Sequence, residues 1–207
     1  YDLQGRVTST AQTIPGAPAT YTTAFTYDAM DRVHTMTYPD NEVVTSAYNN
    51  QGLPDTLNGA NSYVSATTYN AASQIDTLTF GNSAVTDYVY NSQNLRLTDI
   101  VTTKSGNTLL NLHYGFDNVG NILSVQDTAR GETTTYTYDD LSRLLTAGVT
   151  TGGNQYARSW QYDSIGNTTQ RTENGTTTTY QYNDATSKHA VTHLNNVLKY
   201  AYDANGN

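Results

Sequence analysis

The chain has 207 residues, 18 acidic against 10 basic side chains for a net charge of −8, 37 threonines, 18 tyrosines and no cysteine. The acidic balance argues against nucleic acid as a partner, since phosphate binding needs clustered Lys and Arg that release counterions, and against adsorption on anionic membranes; no apolar run is long enough to span a bilayer. The lack of cysteine excludes disulfides and thiolate metal sites, and the wealth of Thr and Tyr beside three Lys, three Glu and two Met favours strands over helices.

One motif recurs from the first residue to the last: an aromatic anchor, then Asp or Asn, then a small residue or Asx three positions on. In chain order the copies are Tyr1-Asp2 with Gly5, Tyr27-Asp28 with Asp31, Tyr48-Asn49 with Gly52, Tyr69-Asn70 with Ser73, and Tyr90-Asn91 with Asn94. They continue as Phe116-Asp117 with Gly120, Tyr138-Asp139 with Ser142, Tyr162-Asp163 with Gly166, Tyr182-Asn183 with Thr186, and Tyr202-Asp203 with Gly206. The anchors are spaced by 26, 21, 21, 21, 26, 22, 24, 20 and 20 residues, a period that signals a repeat array. Asx opens a turn by bonding its side chain back to the backbone, and Gly or Asn three residues later can take the left-handed conformation that starts a second strand. Each copy therefore predicts a β-hairpin tip, with positive φ at Gly5, Gly52, Gly120, Gly166 and Gly206.

Between the tips the pattern alternates with period two. Phe25, Tyr88, Tyr114, Tyr136, Trp160, Tyr180 and Tyr200 stand two residues before their anchors, which puts both rings on one sheet face and predicts rings packed on one another as ladders. Short half-buried strands are predicted at 32–38, 74–80 and 121–126. Turn signals at Tyr38-Pro-Asp-Asn41, Phe80-Gly-Asn82, Lys104-Ser-Gly-Asn107, Ala129-Arg-Gly-Glu132 and Glu173-Asn-Gly-Thr176 return the chain toward the next anchor. The Pro-containing stretch from Thr13 to Thr20 reads as an enlarged loop. The expectation is an all-β chain: one continuous array over residues 1–207 of tandem antiparallel hairpins, about 20–26 residues each, in a twisted spiral strip. It opens inside one copy and stops inside another, as expected of a section of a longer protein.

Tyr1-Asp-Leu-Gln-Gly-Arg6, Tyr138-Asp-Asp-Leu-Ser-Arg143, Phe116-Asp-Asn-Val-Gly-Asn121 and Tyr202-Asp-Ala-Asn-Gly-Asn207 resemble the YD repeat of the Rhs family, Tyr-Asp-x-x-Gly-Arg followed by a short apolar strand. Asn replaces Asp at Asn49, Asn70, Asn91 and Asn183, and the Arg stands only at Arg6, Arg32 and Arg143. The resemblance implies more than the periodicity does: strips that coil into a hollow β-shell around a cargo, often a toxin domain of the same polypeptide, in a secreted or cell-surface bacterial protein, with relatives in Tc toxin shell components and teneurins.

Candidate chemistry is sparse. His189 and His193 would share a face on a helix and could hold zinc, but the surrounding Ala-Val-Thr favours a strand, where residues four apart stand about 13 Å from each other; His34 and His113 fall in strand patterns. Asp117-Asn-Val-Gly-Asn121 and Asp139-Asp140 are oxygen-rich, as calcium requires, yet turn formation accounts for the same residues and no EF-hand spacing is present. No Gly-x-Ser-x-Gly, phosphate loop or dinucleotide fingerprint occurs. The chain is therefore read as non-enzymatic, without cofactor or metal, its partners being further repeats, copies of itself or an enclosed cargo. Tyr21, Tyr63 and Tyr156 lie off the register and are candidate contact aromatics for a protein or glycan. Two other readings stay open: a carbohydrate-binding or adhesion module, and a self-assembling extracellular fibre or tube.

Overall fold

The computed structural model describes residues 1–16, 19–153, 155–203 and 206, with the backbone alone at Thr150. All regular structure among them is antiparallel β, and no helix occurs. The chain divides into two compact units, Tyr1–Leu109 and Leu110–Asn207.

The first unit contains β1 (Ser9–Thr13), β2 (Thr20–Tyr27), β3 (Val33–Thr37), β4 (Val43–Tyr48), β5 (Pro54–Asn58), β6 (Ser62–Tyr69), β7 (Ile75–Phe80), β8 (Ala84–Tyr90) and β9 (Leu97–Lys104). Each pairs with the next in chain order. The second unit carries β10 (Asn107–Phe116), which begins in the last residues of the first unit, then β11 (Ile122–Asp127), β12 (Glu132–Tyr138), β13 (Leu144–Thr151) and β14 (Tyr156–Tyr162). It ends with β15 (Thr168–Glu173), β16 (Thr176–Gln181), β17 (His193–Leu194) and β18 (Val197–Leu198), again paired in sequence. Among the described residues neither ladder closes on itself: β1 pairs with β2 and β18 with β17.

The alternation of the sequence becomes two unlike faces. Phe25 and Tyr27, Tyr136 and Tyr138, and Trp160 and Tyr162 are half-buried, while Thr26, Thr137 and Gln161 between them are exposed. On that second face threonines meet across strands, with hydroxyl contacts of 2.6 Å for Thr26–Thr35 and for Thr137–Thr146, pairs of the kind that add a few tenths to about 1 kcal/mol each to a sheet. The covered face is shallow. Among the described residues its well-buried apolar side chains are the small ones, Val44 and Ala84 in the first unit and Ala147 and Val149 in the second, and no large side chain is fully enclosed.

The enlarged loop is found between Thr13 and Thr20, although its Ala17 and Pro18 lie outside the described residues, as do Ala204, Asn205 and Asn207 of the last copy. At the far ends of the hairpins, Ser105-Gly106, Asn174-Gly175 and Asn195-Asn196 hold positive φ at both central residues, the two-residue turn whose twist matches that of the strands it joins. Three expectations need correction. The tip after Tyr90 carries an extra residue: Leu95 donates its N–H to the Asn91 carbonyl and takes φ of 57°, so Asn94 is not the left-handed position. After Tyr182 no tight tip forms, because Asp184 displaces Asn183 as the turn-opening Asx, accepting from the N–H groups of Thr186 and Ser187, and Thr186 keeps negative φ. The strand expected through His189–His193 is also absent; His189 sits in a turn and only His193 enters a strand, since that longer connection takes up the residues between.

Candidate functional site: the ladder of hairpin tips

Each regular tip is built by one side chain. Asp2 Oδ1 accepts the N–H groups of Gln4 (3.0 Å) and Arg6 (2.9 Å), while its carbonyl accepts the N–H of Gly5 and its own N–H donates to the Arg6 carbonyl. The same pair of Oδ1 bonds, to the second and fourth residues on, recurs at Asp28, Asn49, Asn70, Asp117, Asp139 and Asp163. Positive φ falls at the third residue on, at Gly5, Asp31, Gly52, Ser73, Gly120, Ser142, Gly166 and Gly206. A register shift at or beside the anchor marks the bulge by which the strands leave the turn. These donors set the acidity of the carboxylates. The Arg32 side chain holds Asp28 below the ordinary range, the Arg143 N–H does so for Asp139, and at Asp2, Asp117 and Asp163 the turn donors outweigh a desolvation that acts the other way.

The anchors join each tip to the one before. Tyr27 donates its hydroxyl to the Val7 carbonyl (2.7 Å), Tyr48 to Val33 (2.8 Å), Tyr69 to Pro54 (2.5 Å) and Tyr90 to Ile75 (2.9 Å). In the second unit Tyr138 donates to Ile122, Tyr162 to Leu144 and Tyr182 to Thr168, all at 2.9 Å, and Tyr202 to Val191 at 2.8 Å. All these acceptors but Val191 stand five residues past the preceding Asx, where the chain leaves the previous tip. Burial pushes the Tyr69, Tyr90, Tyr138, Tyr162 and Tyr182 phenols up. Phe116 has no hydroxyl to give; Tyr1 is exposed.

A second link runs forward. Arg6 binds Asp2 (2.6 Å), lies 4.5 Å from the centroid of the Tyr27 ring and reaches Asp31 (2.5 Å) on the next tip. Arg32 binds Asp28 (2.7 Å) and lies 4.0 Å over Tyr48; Arg143 binds Asp139 (2.6 Å), lies 4.8 Å over Tyr162 and donates to the Asp163 carbonyl (3.1 Å). Where other residues replace Arg, Gln74 still reaches the Leu95 carbonyl, Asn121 the Ser142 hydroxyl and Asn167 the Lys188 carbonyl. The ladder expected as ring on ring thus takes another form. Successive anchors sit two strands apart, about 9.5 Å at the spacing of a sheet, too far for rings to touch, and the guanidinium and hydroxyl span that gap. Among the described residues the ring pair in contact is Tyr114–Phe116, within one strand, at 6.4 Å.

In the first unit the off-register aromatics Tyr21 and Tyr63 do not form one site. Tyr21 is on β2 and Tyr63 on β6, with three strands between them. Tyr63 gives its hydroxyl to Glu42, which raises its pKa and pins the loop through the Ala60 N–H as well. Tyr156, in the second unit, lies under the Arg158 guanidinium at 4.9 Å, and Arg158 and Arg171 share Glu173. His189 Nδ1 meets Asn167 Oδ1 (2.6 Å) and His193 Nδ1 meets the Thr192 hydroxyl (2.9 Å), so the two imidazoles have separate partners. Among the described residues no group of three or more His, Cys, Asp or Glu side chains could hold a metal ion.

The tip geometry accounts for every position of the Tyr-Asp-x-x-Gly-Arg pattern, and residues 116–155 match the RHS repeat family. That stretch carries the RHS repeat. No curated protein matches it. Among solved structures, the crystal structure of TcdB2–TccC3 is similar at TM-score 0.70 and 26% identity, over 79% of this chain and 10% of that one. TcdB2–TccC3–Cdc42 gives 0.70 and 25%, and the Photorhabdus luminescens Tc holotoxin pore carrying TccC3-D651A gives 0.69 and 26%, each with the same coverage. The chain spans a tenth of the length of the solved chains it matches. The Tyr hydroxyl bond has no signature in the sequence beyond the anchor itself, because its acceptor is a backbone carbonyl; the forward link could have been found by reading each Arg against the next anchor.

Proposed function

We propose that this chain is a non-catalytic scaffold, one section of an Rhs-type β-shell that encloses a cargo or toxin domain in a secreted or cell-surface bacterial protein. The observation that carries the reading is the two-way linkage of the tips. Most anchors spend a hydroxyl on the preceding tip, and Arg6, Arg32, Gln74, Asn121, Arg143 and Asn167 reach the following one, so the design gains from extension. The thin core fits a wall one sheet thick, and the likeness to TcdB2–TccC3 supplies the architectural precedent. Further repeats and the enclosed polypeptide are its partners. The glycan-binding alternative lacks a shared aromatic platform, since Tyr21 and Tyr63 are apart. The test is cryo-electron microscopy of the protein expressed with its natural flanks, with protease treatment in parallel. A hollow particle lined by these hairpins, shielding a segment that becomes cleavable on opening, is the expected result; a filament, or a flat sheet with nothing shielded, would overturn it.

A further inference from the structure

In the first unit a cavity of about 290 Å³ opens on the covered face between β4 and β7. Its walls include Tyr48, Leu57, Val64, Tyr69, Ile75 and Leu78, all half-buried. Pairing sets them side by side: Leu57 faces Val64 across β5–β6, and Tyr69 faces Ile75 across β6–β7. One charge enters this apolar setting. The register passes from Tyr48–Pro54 to Ala47–Thr56, which leaves Asp55 as the bulged residue, and its half-buried side chain lines the cavity. Asp55 is held less firmly than other half-buried carboxylates. Asp2 and Asp139 accept backbone N–H groups and an arginine, Glu173 takes two guanidiniums, and Glu42 takes the Tyr63 hydroxyl and the Ala60 N–H. The Asp55 carboxylate has the Thr67 N–H at 3.5 Å, the outer limit of a hydrogen bond. Arg32, over the Tyr48 ring that borders the cavity, is bonded to Asp28.

We propose that this cavity binds an alkylammonium group, its hydrocarbon stem against Leu57, Val64, Ile75 and Leu78 and its ammonium on Asp55. A carboxylate drawn partly out of water favours a cation that replaces the lost hydration, and an ammonium brings three donors and no acceptor. The Tyr69 hydroxyl is fixed on the Pro54 carbonyl, one residue from Asp55, so the ring offers its face beside the carboxylate. The apolar walls supply what a bare metal ion could not use, and the volume, at the lower end of small-molecule sites, suits a short unbranched stem. An alkyl carboxylate would be repelled by Asp55, and an alcohol would leave the charge unpaired. A free amine and a lysine side chain share this chemistry. The inference stands on the cavity and its one carboxylate and is independent of the shell reading.

The test is a titration of the isotope-labelled 207-residue chain with n-pentylammonium chloride, followed by NMR at the Asp55, Leu57, Val64 and Thr67 amides. Pentanol and sodium pentanoate at matched ionic strength serve as the other arms. Saturable shifts with pentylammonium, roughly fivefold weaker with pentanol and absent with pentanoate, are expected. Asp55→Asn keeps an acceptor for the Thr67 N–H but no charge, and should bring pentylammonium down to the level of pentanol. Binding of pentanol or pentanoate as tight as that of pentylammonium, or an undiminished preference for the cation in Asp55→Asn, would overturn the proposal. The wild-type comparison decides the matter should the variant not fold. Nα-acetyl-lysine amide separates the two sources: shifts at the same amides extend the site to a lysine side chain, their absence confines it to free amines, and either upholds the alkylammonium assignment.

Discussion

At the scale of the residue, the tip separates what backbone conformation demands from what side chains add. Gly166 has φ of 95° with open space around its Cβ direction, so a substitution there meets only the backbone penalty. Gly166→Val should lower stability by about 1–2 kcal/mol and Gly166→Asn by less, because Asn tolerates the left-handed region; equal thermal midpoints for the two would refute the assigned turn. The anchor hydroxyl makes a separate contribution. Tyr48→Phe loses its bond to the Val33 carbonyl and should cost about 0.5–1.5 kcal/mol, whereas Tyr21→Phe, at an exposed ring, should stay within about 0.5 kcal/mol. Protonation links the two sets of groups to pH. The tip aspartates have folded pKa values below their ordinary 3.8, so their contribution is present above that value and lost as pH falls through the depressed ones. The anchor tyrosines have folded values above 10.0, so theirs is present below that value and lost as pH rises through the raised ones. The thermal midpoint should accordingly be level between about pH 5 and 9 and decline on both sides; an alkaline limb that starts near neutrality would be inconsistent with it.

At the scale of the element, the hairpins show where sequence speaks and where it is silent. Asx and Gly at fixed offsets are demanded by the turn itself, which is why tips such as Asp28–Asp31 and Asp117–Gly120 could be placed from residues alone. An acceptor that is a backbone carbonyl leaves no mark on residue identity, and the spacing from Val33 to Tyr48 differs from that between Val7 and Tyr27, so the hydroxyl bond stayed hidden. The Asn91 tip escaped because one inserted residue moves the left-handed position to Leu95, a residue no propensity would choose. Gly81 carries a constraint that turn composition only half conveys. A Cβ there would lie 1.7 Å from the Ser62 carbonyl oxygen, while the Gly81 N–H bonds to the Tyr63 carbonyl. Gly81→Ala should therefore push β6 away from the start of the β7–β8 turn and destabilise the first unit by about 1–3 kcal/mol. A variant as stable as the wild type in denaturant titration would show that this approach is looser than described.

At the scale of the molecule, stability comes from neighbours and not from a deep interior. β1 is exposed along its whole length and, among the described residues, pairs with β2 on one side, and an open edge is a template for a further strand. Sedimentation over a dilution series should show association that Ala11→Lys reduces; a strictly monomeric chain at high concentration would mean the edge is protected. The two links between tips also have a direction. The anchor hydroxyls point to what came before and the polar fourth tip residues to what comes after, so the hairpins behave like words in a sentence whose grammar depends on order and tolerates an omitted clause. Excising residues 49–69, one full 21-residue step, would join Tyr48 to Asn70. Tyr48 would keep Val33 and Tyr90 would keep Ile75. A cut of half a step would remove one strand of a hairpin and part the anchor beside it from its carbonyl. Such a chain can lengthen or shorten by whole units with little penalty, which makes its size a freely variable trait and its phase a fixed one.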